Sequence, residues 1–177
     1  MRRIAILIVI FICLAGGAWL GYLNTRPRAF PSETAIILPQ EKDYGTPEIG
    51  GTFSLIDHEG QPRTEADFKG KILLVYFGYS FCPDICPSAL YNMSQALEAL
   101  GTKAKEIQPL FITIDPERDT VQHLARYREN YHSRFVMLTG SEQQIQAVMK
   151  AYRVHGAKVE PDETTTEYLM DHTSIIY

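Results

Sequence analysis

Lys71-Ile72-Leu73-Leu74-Val75-Tyr76-Phe77-Gly78 is a near-continuous apolar run without polar alternation, closed by glycine. A strand with one wet face alternates apolar and polar residues. A run without alternation belongs to a strand buried on both faces, as in sheets covered by helices. We expect it at the centre of such a sheet. Pro87 to Leu100 follows with Leu90, Met93, Leu97 and Leu100 in a helical stripe ended by Gly101. Pro109 to Ile114 reads as a second buried strand. Asp119 or Thr120 caps a helix through Tyr131, with Gln122 three residues after Asp119 as its capping-box partner. Phe135 to Leu138 is a third strand, and Ser141 with Gln144 repeats the capping pattern before a helix over Ile145 to Tyr152. Strands alternating with helices predict an α/β fold with a largely parallel sheet.

Before this core, Gly51 to Ile56 alternates as a strand and Asp57-His58-Glu59-Gly60 reads as the turn of a hairpin, with a helical turn over Thr64 to Phe68. After it the chain is less regular. Pro161 to Thr166 is a polar excursion, and Tyr168-Leu169-Met170-Asp171-His172-Thr173 leads into apolar Ile175-Ile176-Tyr177. Stopping inside an apolar run, with neither turn nor cap, is expected of a truncated C-terminal part.

Ile4 to Leu23 carries no charge over about the 20 residues that a bilayer-spanning helix requires. Arg2 and Arg3 precede it, so residues 1–3 are expected on the cytoplasmic side and 4–23 as a single transmembrane anchor. A cleaved signal peptide fits less well: the run is long and passes through Trp19-Leu20-Gly21-Tyr22 instead of a small-x-small site. Cys13 follows Ile12, not the small residue that lipid attachment requires, and reads as an apolar filler. Residues 24–46, with Pro27, Pro31 and Pro39, are expected to form a tether to a domain spanning 47–177. Arg2 and Arg3 are the only charges before Asn24, so the exported remainder carries 15 basic and 21 acidic side chains, net −6. That balance argues against a nucleic-acid partner.

With Cys13 in the membrane, Cys82 and Cys86 are the two cysteines left in an oxidising compartment. Pro87 suits the first position of a helix, which puts Cys86 at or just before its N-terminus. Pro83-Asp84 suits the middle of a type I turn that curls Cys82 back toward Cys86. Unpaired N–H groups at the helix start favour anionic sulfur, so both thiol pKa values are expected to fall. Two convergent thiols support a structural disulfide, a redox dithiol or a soft-metal site. Placement where a loop leaves a buried strand favours the functional uses. Structural zinc takes four ligands, usually as two close pairs, whereas two sulfurs and one imidazole suit copper. The residues alone do not select the imidazole. His58, His123, His132 and His155 read as solvated or packing side chains. His172 is set apart only by position, in a loop entering a strand.

Three ordered segments, Val75 to Pro87, Thr113-Ile114-Asp115-Pro116-Glu117-Arg118-Asp119-Thr120, and Tyr168 to Thr173, closely resemble the Sco (SenC-like) copper-chaperone family. The resemblance runs from about Ile49 to the end. It implies a thioredoxin-like three-layer fold and a copper site of Cys82, Cys86 and His172. It also implies a role in assembling the dinuclear copper site of cytochrome c oxidase subunit II. By the same resemblance the chain is an assembly factor and not a turnover enzyme. It would sit in a bacterial inner membrane with its domain outside the cytoplasm, served by a copper donor protein and a thiol reductant. Family members continue past the histidine into further strand and helix. Asp115 is accounted for by the turn before Pro116 and Asp119 by helix capping, while Asp171 either orients His172 or caps its turn. The alternative is a thiol-disulfide oxidoreductase acting through Cys82 and Cys86, with the target's copper-site cysteines as substrate. A peroxidase of the peroxiredoxin type ranks last, because Tyr79 stands where that family places a hydroxyl residue three before the cysteine.

Overall fold

A computed structural model of the chain describes residues 49–161 and 168–177, all within the unit Pro47–Tyr177. The anchor expected at 4–23 and the tether at 24–46 lie outside the described residues. Among the described residues no helix is long and apolar enough to cross a membrane.

Strand β1 (Ser54–Asp57) turns back into β2 (Pro62–Thr64), and a short 3-10 turn over Glu65–Phe68 leads to β3 (Ile72–Gly78). Helix α1 (Ile85–Leu100) crosses to β4 (Ile107–Thr113), α2 (Val121–Arg128) to β5 (Val136–Thr139), and α3 (Glu142–Tyr152) to a hairpin of β6 (Gly156–Val159) and β7 (Leu169–His172). The first five strands form one sheet in the order β2-β1-β5-β4-β3, with β3, β4 and β5 parallel and β1 antiparallel to both neighbours. The β6–β7 pair is a separate two-stranded sheet.

Register shows why the strands are apolar throughout. Tyr76 lies beside Phe111 and Met137 follows it across β5, while Phe77 lies beside Ile112 and Leu138. All six are at most 1% exposed. The Tyr76 and Phe111 face meets α1 and α2 through Cys86 and Tyr127; the Phe77 face meets Tyr152 of α3, with ring centroids 5.2 Å apart. Helices thus cover both faces of one sheet, the expected three layers. Along α1 the buried stripe is Leu90, Met93 and Leu97, each worth about 1.5–3 kcal/mol on full burial. Leu100 is exposed.

Three expectations change. β3 lies at the end of the sheet and β5 at its centre, because a run without alternation reports two covered faces and says nothing about strand order. The outer edge of β3 meets the chain's last residues: Val75 and Tyr177 exchange two backbone hydrogen bonds of 2.8 Å. Helix α1 begins at Ile85 after Asp84, so Pro87 is its third residue; any position in the first turn spares it an N–H partner. Helix α2 stops at Arg128, three residues short of Tyr131. The Asn130 side chain donates to the Tyr127 carbonyl at 3.1 Å, competing with the backbone ladder. Its N-cap is Thr120, whose hydroxyl accepts from the His123 amide, while the Ser141–Gln144 capping box stands as expected.

Candidate metal centre

The site begins where β3 runs out. Gly78 has no side chain, and a Cβ there would lie 2.8 Å from the Cys86 sulfur, 3.0 Å from the Tyr76 ring and 3.2 Å from the Phe111 ring. Glycine therefore lets the first turn of α1 press Cys86 onto the end of the strand. The loop from Tyr79 to Asp84 closes on itself, the Cys82 amide donating to the Tyr79 carbonyl at 3.3 Å. It is moored by Asp119, whose carboxylate accepts from the Ser80 amide at 3.1 Å, from the Ser80 hydroxyl and from the Thr113 hydroxyl at 2.6 Å. Asp119 is 0% exposed and moors the loop; it does not cap α2.

Both cysteines carry free thiols. The Cys86 amide donates to the Cys82 sulfur at 3.4 Å, so the loop does curl as its turn residues require. Cys86 Sγ lies 3.4 Å from His172 Nε2 and 3.8 Å from the Tyr76 hydroxyl. His172 is not in a loop: it ends β7, paired in register with Gly156 of β6. Its Nδ1 is 3.0 Å from the Thr173 carbonyl. A carbonyl only accepts, which assigns the proton to Nδ1 and turns the Nε2 lone pair toward the sulfur. The Tyr76 and Tyr79 rings meet the imidazole edge-on at 6.3 and 5.9 Å and hold its plane. Thr173 thus orients the ring, while Asp171 faces solvent beside Ala157.

The two thiols differ, against the expectation that both pKa values fall. Burial pushes Cys82 up, but amide donors from Cys86 and Asp84 outweigh it and leave the thiol below its ordinary value. Burial dominates at Cys86 and pushes it up to about 12. In reduced protein, one equivalent of iodoacetamide should therefore alkylate Cys82 well ahead of Cys86, read by peptide mass mapping. Equal labelling at pH 7 would contradict the asymmetry.

A cavity of about 390 Å³ opens over these groups, lined by Cys82, His172 and Tyr79 with exposed Ile85, Val159 and Leu169 at its mouth. Among the described residues no group of three His, Cys, Asp or Glu side chains is set closely enough to hold a metal ion as placed. Two of the three donors already stand near ligand spacing. Ligand distances of about 2.3 Å to sulfur and 2.0 Å to imidazole, at a trigonal angle, separate the two donors by roughly 3.7 Å. Cys86 and His172 are at 3.4 Å, and the Cys82 sulfur turns on one torsion. Two soft sulfurs and a neutral imidazole fit a monovalent copper ion.

The other histidines lie elsewhere: His58 and His132 accept from the Met137 and Arg134 amides, His123 stacks on Phe81, and the His155 backbone pairs with Thr173. Asp115 faces Arg118 and Tyr168. Gly78, Tyr76 and Thr173 went unread in the sequence. Of these only Gly78 left a signal, as a glycine ending a buried strand.

Residues 41–177 match the SCO1/SenC family. Among curated relatives, the mitochondrial SCO2 homolog of Bos taurus is 42% identical over 92% of this chain and 59% of its own length. An SCO2-like protein of Rickettsia felis is 38% identical over 98% of this chain and 83% of its own. The chain thus spans about three fifths of the bovine relative. The copper-bound structure of ScoI from Bradyrhizobium japonicum superposes with a TM-score of 0.69 at 40% identity, covering 73% of this chain and 81% of that one. These likenesses make the mixed α/β fold the thioredoxin-like Sco fold. On this match over most of its length, the chain belongs to the SCO1/SenC family.

Proposed function

We propose that this chain binds copper as cargo through Cys82, Cys86 and His172, and hands it on during assembly of cytochrome c oxidase. The observation that carries the reading is the 3.4 Å approach of His172 Nε2 to Cys86 Sγ across 86 residues of sequence, beside a second sulfur on the same loop. Copper bound to the Bradyrhizobium japonicum relative supports it. The recipient in this reading is subunit II, whose dinuclear copper site needs a donor of soft-ligated copper. The exposed Ile85, Val159 and Leu169 around the mouth offer that recipient an apolar contact. Residues 4–23 anchor the chain in a bacterial inner membrane, with Arg2 and Arg3 retained inside and the domain on the outer side. A copper donor protein loads the site and a thiol reductant keeps it reduced. The chain is a carrier and not a turnover enzyme.

The thiol asymmetry favours a second reading, as a thiol-disulfide reductase of the recipient. The accessible Cys82 thiolate attacks one sulfur of a target disulfide and releases the other as a thiolate. Cys86, after losing its proton, then attacks Cys82, freeing the reduced target and leaving a Cys82–Cys86 disulfide for the external reductant. Mixing loaded reduced protein with the purified subunit II copper domain separates the two. Transfer of copper to a recipient already reduced supports the carrier. Reduction of an oxidised recipient by copper-free protein, with no copper passing from the loaded form to a reduced one, supports the reductase.

A further inference from the structure

We propose that Arg118 is a positioning residue for the copper site, tying the strand that carries His172 to the loop that carries Cys82. The proposal rests on the copper reading of Cys82, Cys86 and His172. What calls for such a tie is the topology. Among the described residues the β6–β7 hairpin shares no strand ladder with the main sheet, yet it must deliver His172 to cysteines on the loop after β3 and on α1. A two-stranded hairpin is marginally stable alone and takes its orientation from what holds it at each end. Near His172 the Ser174 hydroxyl meets the Tyr76 hydroxyl at 3.0 Å. The opposite end of β7 begins beside Tyr168, four residues and about 13 Å of strand away.

That far end is fastened by Arg118. Its Nη1 donates to the Tyr168 carbonyl at 2.9 Å, and its guanidinium carbon lies 3.6 Å from the Tyr168 ring centroid. The same carbon lies 4.8 Å from the ring of Phe81, the residue before Cys82. Asp115, 1% exposed just past β4, holds both partners: it accepts from Arg118 Nε at 2.5 Å and from the Tyr168 hydroxyl at 2.9 Å. The stack extends both ways. His123 of α2 lies on Phe81 with centroids 4.8 Å apart and planes within 13°, and Lys158 of β6 sits 4.5 Å from the Tyr168 ring while pairing with Glu117. One planar cation thus joins the cysteine loop and the hairpin while its own position is set by the sheet.

A lysine at this position keeps a positive charge for Asp115 but has no planar face for two rings and no second rigid arm for the Tyr168 carbonyl. Arg118→Lys therefore loosens the tie without stranding a buried carboxylate. The experiment titrates full-length protein in detergent with Cu(I) against a chromophoric chelator, with thermal unfolding of each metal-free variant as the folding control. Expected for Arg118→Lys is an affinity loss of about tenfold, the scale on which groups behind metal ligands act. The thiolate-to-copper absorption of the Cu(II)-loaded form should shift as well. Because Arg118 acts through His172, adding Arg118→Lys to His172→Ala should cost nothing further. Tyr168→Phe, which removes only the hydroxyl on Asp115, should move affinity in the same direction. If wild type holds no copper, the copper reading and this proposal fall together. If wild type binds and His172→Ala weakens it, but Arg118→Lys binds as wild type or its loss multiplies with that of His172→Ala, only the role of Arg118 is overturned.

Discussion

Cys86→Ser is expected to abolish tight Cu(I) retention, and His172→Ala to weaken it by more than about a hundredfold, beyond the 10–100-fold that loss of an outer-shell partner brings. The serine effect is the larger because a hydroxyl is a hard oxygen donor that competes poorly for a soft monovalent ion. It is also the better-controlled comparison, since Cys86 is fully buried and a serine oxygen there is close to isosteric, with the Tyr76 hydroxyl at hand as partner. Cys82→Ser should behave like Cys86→Ser. Competition titration under reductant, with circular dichroism to confirm folding, reads all three. Copper retention by His172→Ala equal to wild type would remove the imidazole from the site.

Asp119→Ala is expected to lower stability by about 2–4 kcal/mol, a large share of what holds a domain of this size together. The alanine leaves the buried Thr113 hydroxyl and the Ser80 amide without their acceptor, and it unmoors the loop that leads into Cys82. Urea unfolding measures the first effect. The pH dependence separates it from a generic packing loss. Burial raises the Asp119 pKa, against the hydrogen bonds that lower it, so the folded chain holds that proton more tightly than the unfolded chain does. The corresponding contribution is fully present below the ordinary carboxylate range and is lost as pH rises through the raised value. The stability gap between wild type and Asp119→Ala should therefore be wider at pH 4.5 than at pH 7.5. A gap independent of pH would mean that Asp119 ionises no differently in the folded chain.

Both variants bear on features that differ in how visible they were before folding. The convergence of Cys82 and Cys86 is a matter of five residues, a proline-containing turn and a helix start, and those rules operate within the segment. Capping by Thr120 and Ser141 is equally local, as is the apolar character of β3, β4 and β5. Asp119 shows the opposite case. As an acidic residue just before a helix it reads as a cap, yet Thr120 makes the cap, and Asp119 faces inward to Ser80, which is 39 residues earlier. Cys86 shows it too: a helix N-terminus favours the thiolate, but complete burial against Tyr76 and Gly78 prevails and raises its pKa.

Composition and spacing by themselves determined an α/β chain, the strand-loop-helix unit at its centre, and two thiols able to act together. Each follows from interactions among residues a few positions apart. Tertiary structure alone decided that β5 and not β3 lies at the middle of the sheet, that the stretch around His155 and His172 is a hairpin, and that this hairpin sets an imidazole against Cys86. Strand order depends on which way each crossover runs. The His172–Cys86 contact depends on a separate hairpin that meets Tyr76 through Ser174 and Arg118 through Tyr168, groups far apart in the sequence. No pattern read along the chain carries that distance, because it is a sum of packing contacts between segments that meet only in the fold.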